Sequence, residues 1–163
     1  MNHPRLSSNV QALRPGSSMD QWKQAIERGN RAFDIHDNAV ALGHYRLAMI
    51  LAHDMFETWA DHDAAVAAFV VAHHNMADLQ LREARIDEAA TLLCIAHERL
   101  QATISDENIA QALRQTALRH SRQTLSELLH FSQKYGNHPK VAAMLAHGNP
   151  GFGNPAAADF PLH

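Results

Sequence analysis

The chain predicts an all-α fold of antiparallel helix hairpins, and three observations carry that prediction. Between Met19 and Tyr135 there is no proline, and the only glycines are Gly29 and Gly43. Alanine, leucine, glutamine and arginine dominate this stretch, all good helix formers. No window alternates cleanly with the period of two that a strand needs. Third, Gly29, Ala41, Tyr45 and Ala48 become Ala77, Ala89, Leu93 and Ala96 when 48 is added to each number. Small residues return where two helices must approach closely, and a large apolar residue returns where their shared core needs filling. Short turns lie between them, Ile35-His36-Asp37-Asn38 in one copy and Glu83-Ala84-Arg85-Ile86 in the other. A helix–turn–helix unit written twice at a fixed offset marks a helical repeat array.

Each element follows from local signals. Residues 1–17, with Pro4, Pro15 and Gly16, read as a flexible N-terminal arm. Ser18 is placed to cap a first helix, with Gln21 three residues on as its capping-box partner. That helix runs to about His36 and carries Trp22, Ile26 and Phe33 on one side. Asp37 or Asn38 recaps the chain for a second helix ending near Trp59. Asp61 caps a third that continues to about Glu83. Asp87 starts a fourth, with Leu92, Leu93, Ile95, Ala96 and Leu100 inward. Ser105-Asp106-Glu107 offers the start of a fifth, unbroken to Tyr135 and stopped by Gly136 in a left-handed conformation. The helical domain is thus 18–136. Residues 137–163 hold Pro139, Pro150, Pro155 and Pro161 and read as a mostly flexible tail, with one helical turn over Lys140–Ala146. Deleting 1–17 and 148–163 is expected to leave the thermal midpoint nearly unchanged.

Composition excludes several classes of function. The net charge is −3 with neutral histidines, so no broad positive field draws in nucleic acid or an acidic membrane. The single cysteine, Cys94, forms no intrachain disulfide and suits a reducing cytoplasm. No apolar leader is apparent at the start. The longest apolar stretch, Ala64 to Ala72, is too short to span a bilayer. The expected location is cytoplasmic.

Thirteen histidines invite a metal reading, but no two stand at the i,i+3 or i,i+4 spacing that presents two ligands from one helix. His53 with Glu57, and His74 with Asp78, supply half-sites only. Cys94, within Leu92-Leu93-Cys94-Ile95-Ala96, reads as a small buried apolar residue; a nucleophilic role would need His97 as its base. Gly148-Asn149-Pro150-Gly151-Phe152-Gly153 lacks the preceding strand of a phosphate loop. Arg114, Arg119 and Arg122 on the fifth helix, with Lys134 further on, read as a solvated face, with contact to RNA or an acidic partner as the alternative.

The paired pattern resembles the tetratricopeptide repeat family over residues 22–104. The second copy reads His74-Asn75-Met76-Ala77-Asp78-Leu79, then Ile86-Asp87-Glu88-Ala89, Leu93 and Ala96. The first reads Gly29-Asn30-Arg31-Ala32-Phe33, then Ala41, Tyr45 and Ala48. The offset of 48 exceeds the family's period of about 34, so helices here must be extended. Adding 48 again lands on Leu125 and Asn137, without the pattern, so the final helix reads as a cap.

The resemblance implies two hairpins plus a cap, stacked as a short right-handed superhelix, with a groove lined by the first helix of each hairpin. Carried over residue by residue, the groove comprises Ile26, Asn30, Phe33, His74, Asn75, Asp78, Leu81 and Arg82. Some members clamp a C-terminal carboxylate with lysine and asparagine. Asn30 and Asn75 match the asparagines, but Ile26 stands in the lysine place and cannot donate.

The expected function is a non-catalytic protein–protein adaptor or co-chaperone-like module. It would take a peptide or partner helix, with no cofactor, no membrane and no nucleic acid. The alternatives are a small metal- or ligand-binding helical protein using its histidines, or a regulator that dimerises through Phe56 and Trp59.

Overall fold

The computed structural model describes residues 16–147. They form six helices: α1 (Ser18–Asp34), α2 (Asn38–Met55), α3 (His62–Arg82), α4 (Ile86–Ser105), α5 (Gln111–Tyr135) and α6 (Pro139–His147). The expected arm and tail, apart from Gly16, Ser17 and the stretch 137–147, lie outside the described residues. Each helix packs on its successor, and α3 also meets α1 and α5. The pairs α1–α2 and α3–α4 are the two hairpins of the repeat.

The first cap lies one residue earlier than the sequence suggested. Ser17 Oγ accepts from the Asp20 amide at 3.2 Å and donates to Asp20 Oδ2 at 2.9 Å. Gln21 is not its partner; its amide donates to the Gly16 carbonyl at 3.1 Å. Asp37 and Asp61 cap α2 and α3 through Val40 and Ala64, each satisfying an otherwise orphaned amide. The fifth helix begins later than expected. Ser105 ends α4, and Asp106 instead accepts from the Asn108 amide in the connecting turn.

The offset of 48 is repeated in the backbone. In the first hairpin the turn bonds run Ile35 to Arg31, His36 to Phe33 and Asp37 to Ala32. In the second they run Glu83 to Leu79, Ala84 to Leu81 and Arg85 to Gln80, each residue 48 further on. His36 and Ala84 adopt φ of 61° and 59°, the left-handed stop that glycine usually supplies. Gly136 has φ 80° but ψ −163°, so its stop is not the left-handed helical one expected. Such a conformation belongs almost solely to glycine.

Packing follows the small-residue pattern. Ala41, Ala48, Ala89 and Ala96 are all fully buried, and Ala77 nearly so. A Cβ built on Gly29 would lie 2.5 Å from the Tyr45 ring, so glycine is what lets α1 close on α2. Phe56 and Phe69 meet edge to face at 5.1 Å between α2 and α3. Phe56 is fully buried, so it offers nothing to a dimer contact; Trp59 is half-buried. Ile95, expected inward, is 43% exposed.

α6 is more than one turn. The His138 ring accepts from the Lys140 amide at 3.3 Å, and Pro139 occupies the first helical position, which needs no N–H. Val141 is fully buried in a cluster with Leu93, Leu128 and Phe131. His138 Nε2 donates to Asp87 Oδ1 at 2.7 Å, and Lys140 reaches Thr91 at 2.7 Å, fixing α6 along α4. Among the described residues no helix is long and apolar enough to cross a membrane.

Candidate functional site

Most of the residues assigned to the groove meet on the exposed side of α1 and α3. Asn30 projects from α1 four residues before the end of that helix. Its Oδ1 accepts two hydrogen bonds, from Tyr45 Oη on α2 at 2.8 Å and from Asn75 Nδ2 on α3 at 3.1 Å. Three helices are therefore joined at one side-chain oxygen. Among the described residues, the Asn30 amide nitrogen and the Asn75 oxygen keep no such partner. The repeat pattern makes Tyr45 a core filler, yet its hydroxyl takes part. A buried tyrosine needs an outlet for its polar end, and that rule is the signal that could have found it.

One turn along, Arg82 of α3 crosses to α1. Its guanidinium lies 3.2 Å from the centroid of the Phe33 ring and donates to the Phe33 carbonyl. Arg82 also approaches Asn38 Oδ1 at 3.5 Å. The arginine thus serves the C-terminus of α1, where free carbonyls and the helix dipole favour a cation. Phe33, assigned as an apolar anchor, is already covered on one face by this contact.

Ile26 does not reach the surface. It is 8% exposed and belongs to the main core, because the α1 stripe that faces α2 includes it. Leu81 packs half-buried on the cluster of Ala77, Ala89 and Leu93. His74 is half-buried, and its Nε2 is shut from solvent with no partner among the described residues. Asp78 is exposed on the same side of α3.

The electrostatics of this surface extend to α5, whose Glu127 and Lys134 are not among the residues that the repeat pattern assigns to the groove. Partial burial pushes the His74 imidazole below its usual range, against the pull of the Glu127 carboxylate. Asp78 is open to solvent over much of its side chain, yet the flanking helices strip part of its water. That desolvation, with repulsion from Glu127, raises its carboxyl above the ordinary range, opposed by Lys134. Burial lifts the Tyr45 hydroxyl to about 12, helped by Asp34 and Asp78 and opposed by Arg82. Tyr45 therefore stays a neutral donor to Asn30.

The other chemical candidates are absorbed by structure. Cys94 is buried, and burial raises its thiol, which opposes nucleophilic use. His97 is held as a neutral ring. Thr124 Oγ1 spends its proton on the Ser121 carbonyl, so His97 Nδ1–H donates to Thr124 at 2.7 Å, and Gln101 donates to Nε2 at 3.4 Å. Arg114 donates to the Ile104 carbonyl at 3.0 Å, and Arg119 lies 3.8 Å from Asp63. His120 Nε2 donates to the same Asp63 at 2.8 Å. Among the described residues no three histidine, cysteine, aspartate or glutamate side chains converge to hold a metal ion.

Residues 20–163 match the family model described as Protein of unknown function (DUF2753), and the chain belongs to that family. No curated protein and no solved structure matches the chain.

Proposed function

We propose that the chain is a non-catalytic protein-interaction adaptor or co-chaperone-like module of tetratricopeptide-like architecture. Its hairpins stack as a short right-handed superhelix, and the first helices hold an extended peptide or partner helix. The observation that supports this best is the Asn30–Asn75 pair. Asn30 spends its oxygen on Tyr45 and Asn75, which leaves a donor on Asn30 and an acceptor on Asn75 beside each other at the surface. A donor and an acceptor fixed together match the N–H and C=O of an extended backbone. Asp78 and Glu127 add an acidic edge for a basic residue of the ligand.

The test is a peptide selected on the wild-type protein and then measured on variants. Asp78→Ala and Asn75→Ala are each expected to weaken it roughly tenfold, equivalent to about 1.4 kcal/mol, with an unchanged circular dichroism spectrum. Unchanged affinity in both variants, with the fold intact, overturns the reading.

A further inference from the structure

A cleft of about 700 Å³ runs between α4 and α6, away from the surface just described. Cys94, Ile95, Gln101 and Ala102 line it from α4, and Met144 and His147 line it from α6. Its floor is mostly apolar. Ile95, 43% exposed among the described residues, contributes a large apolar side chain.

The described part of α6 lies along only part of α4. Among the described residues α4 has 20 residues and α6 has 9. α6 runs along α4 from Asp87, which holds His138, past Thr91, which holds Lys140. The described residues end at His147, which lines the cleft. The lining of α4 continues from Glu98 to Ser105, seven residues or about 10 Å beyond.

Sixteen residues, 148–163, follow at that point. Phe152 is the first large apolar residue among them, five positions after His147, and it lies between Gly151 and Gly153. Five extended residues reach about 17 Å, enough to bring Phe152 anywhere along the cleft. The flanking glycines let the backbone approach α4 closely, and Pro150 and Pro155 reduce the chain entropy lost on docking. The family match also runs on through the final residue, His163.

We propose that the cleft between α4 and α6 is the docking site of the chain's own C-terminal segment, with Phe152 as the anchor over Cys94, Ile95 and Met144. This departs from the expectation that residues 148–163 contribute little to the fold. It does not depend on the adaptor reading.

Cys94 is the sole cysteine of the 163 residues and lines the cleft, so its labelling rate, slow as it is for a buried thiol, reports on occupancy in this chain. Phe152→Ala is expected to speed maleimide labelling of Cys94 about tenfold, as follows if the cleft is open about a tenth of the time in the wild type. Phe160→Ala is expected to leave the rate unchanged. Nuclear Overhauser contacts between the Phe152 ring and the Met144 methyl are expected in the wild type, independent of protein concentration. Equal labelling rates for wild type and Phe152→Ala overturn the proposal. So does acceleration by Phe160→Ala alone. Absence of the Phe152–Met144 contacts overturns it too, as does a labelling rate that falls with protein concentration, which would mean docking onto a second copy.

Discussion

The two hairpins solve one packing problem with opposite volumes. In α1–α2 the crossing pairs Gly29 with Tyr45; in α3–α4 the equivalent residues are Ala77 and Leu93. A larger partner is accommodated by removing the opposing Cβ, and a smaller one by restoring it. The turns follow the same hydrogen-bond scheme in both copies. What differs is polarity. Tyr45 carries a hydroxyl that must leave the core, and it does so through Asn30. Leu93 makes no such demand, and the second hairpin closes on a wholly apolar contact with Leu128, Phe131 and Val141. A repeat therefore conserves summed volume and backbone geometry more strictly than it conserves residue type.

The sharpest way to break this comparison is to exchange the pairs. Gly29→Ala puts a Cβ 2.5 Å from the Tyr45 ring and is expected to cost about 2 kcal/mol of stability in denaturant titration. In a Tyr45→Leu background the same change should stabilise by about 1 kcal/mol, the ordinary helix gain of alanine over glycine. Two costs that simply add would refute the volume argument. Ala89→Leu tests the second hairpin and is expected to cost roughly 1–3 kcal/mol.

Acid should separate the hairpins next. The histidines whose rings are pushed below the usual range, His73, His74 and His97, all lie on α3 and α4, and burial is the main cause for each. His73 Nδ1 donates to the Phe69 carbonyl at 2.8 Å, within the core. Such rings stay neutral in the fold while their unfolded counterparts take up protons near pH 6.5. The unfolded state then binds more protons, so stability falls as the pH drops below that value. The expected loss is about 1 kcal/mol between pH 6.5 and 5.5. Relative to the intrinsic exchange rate at each pH, amide protection should fall in α3 and α4 before α1 and α2. A uniform fall in protection would contradict this assignment.

The smallest effect concerns the glycine that packing does not require. A Cβ at Gly43 meets nothing within 4 Å, so Gly43→Ala is expected to raise stability by about 1 kcal/mol. Its opposite sign to Gly29→Ala within one hairpin is the check. Ala84→Gly, at the left-handed stop of α3, should give a gain below about 1 kcal/mol.

Much of the helical framework was legible because it rests on local rules. Asp37 and Asp61 announce their helices, and the absence of proline from 19 to 135 leaves long runs uninterrupted. The start of α5 was misplaced because Ser105-Asp106-Glu107 is a good capping sequence spent on a turn. Ile26 was assigned outward because a family position, rather than the α1 stripe, decided its face. The crossing of Arg82 to Phe33 joins residues 49 apart, and Glu127 reaches the surface from a third helix. No periodicity within one helix encodes contacts of that range.

The shared oxygen of Asn30 gives the molecule a directional joint. Both hydrogen bonds at the joint point toward the amide oxygen. Turning the amide over would set an N–H against the Asn75 donor and break that bond, and would keep Tyr45 only by reversing its hydroxyl from donor to acceptor. Aspartate at this position would preserve the acceptor and hold all three helices, whereas leucine, of similar shape, would strand two donors together. At this joint the sense of a dipole matters, a quantity that neither size nor hydrophobicity measures.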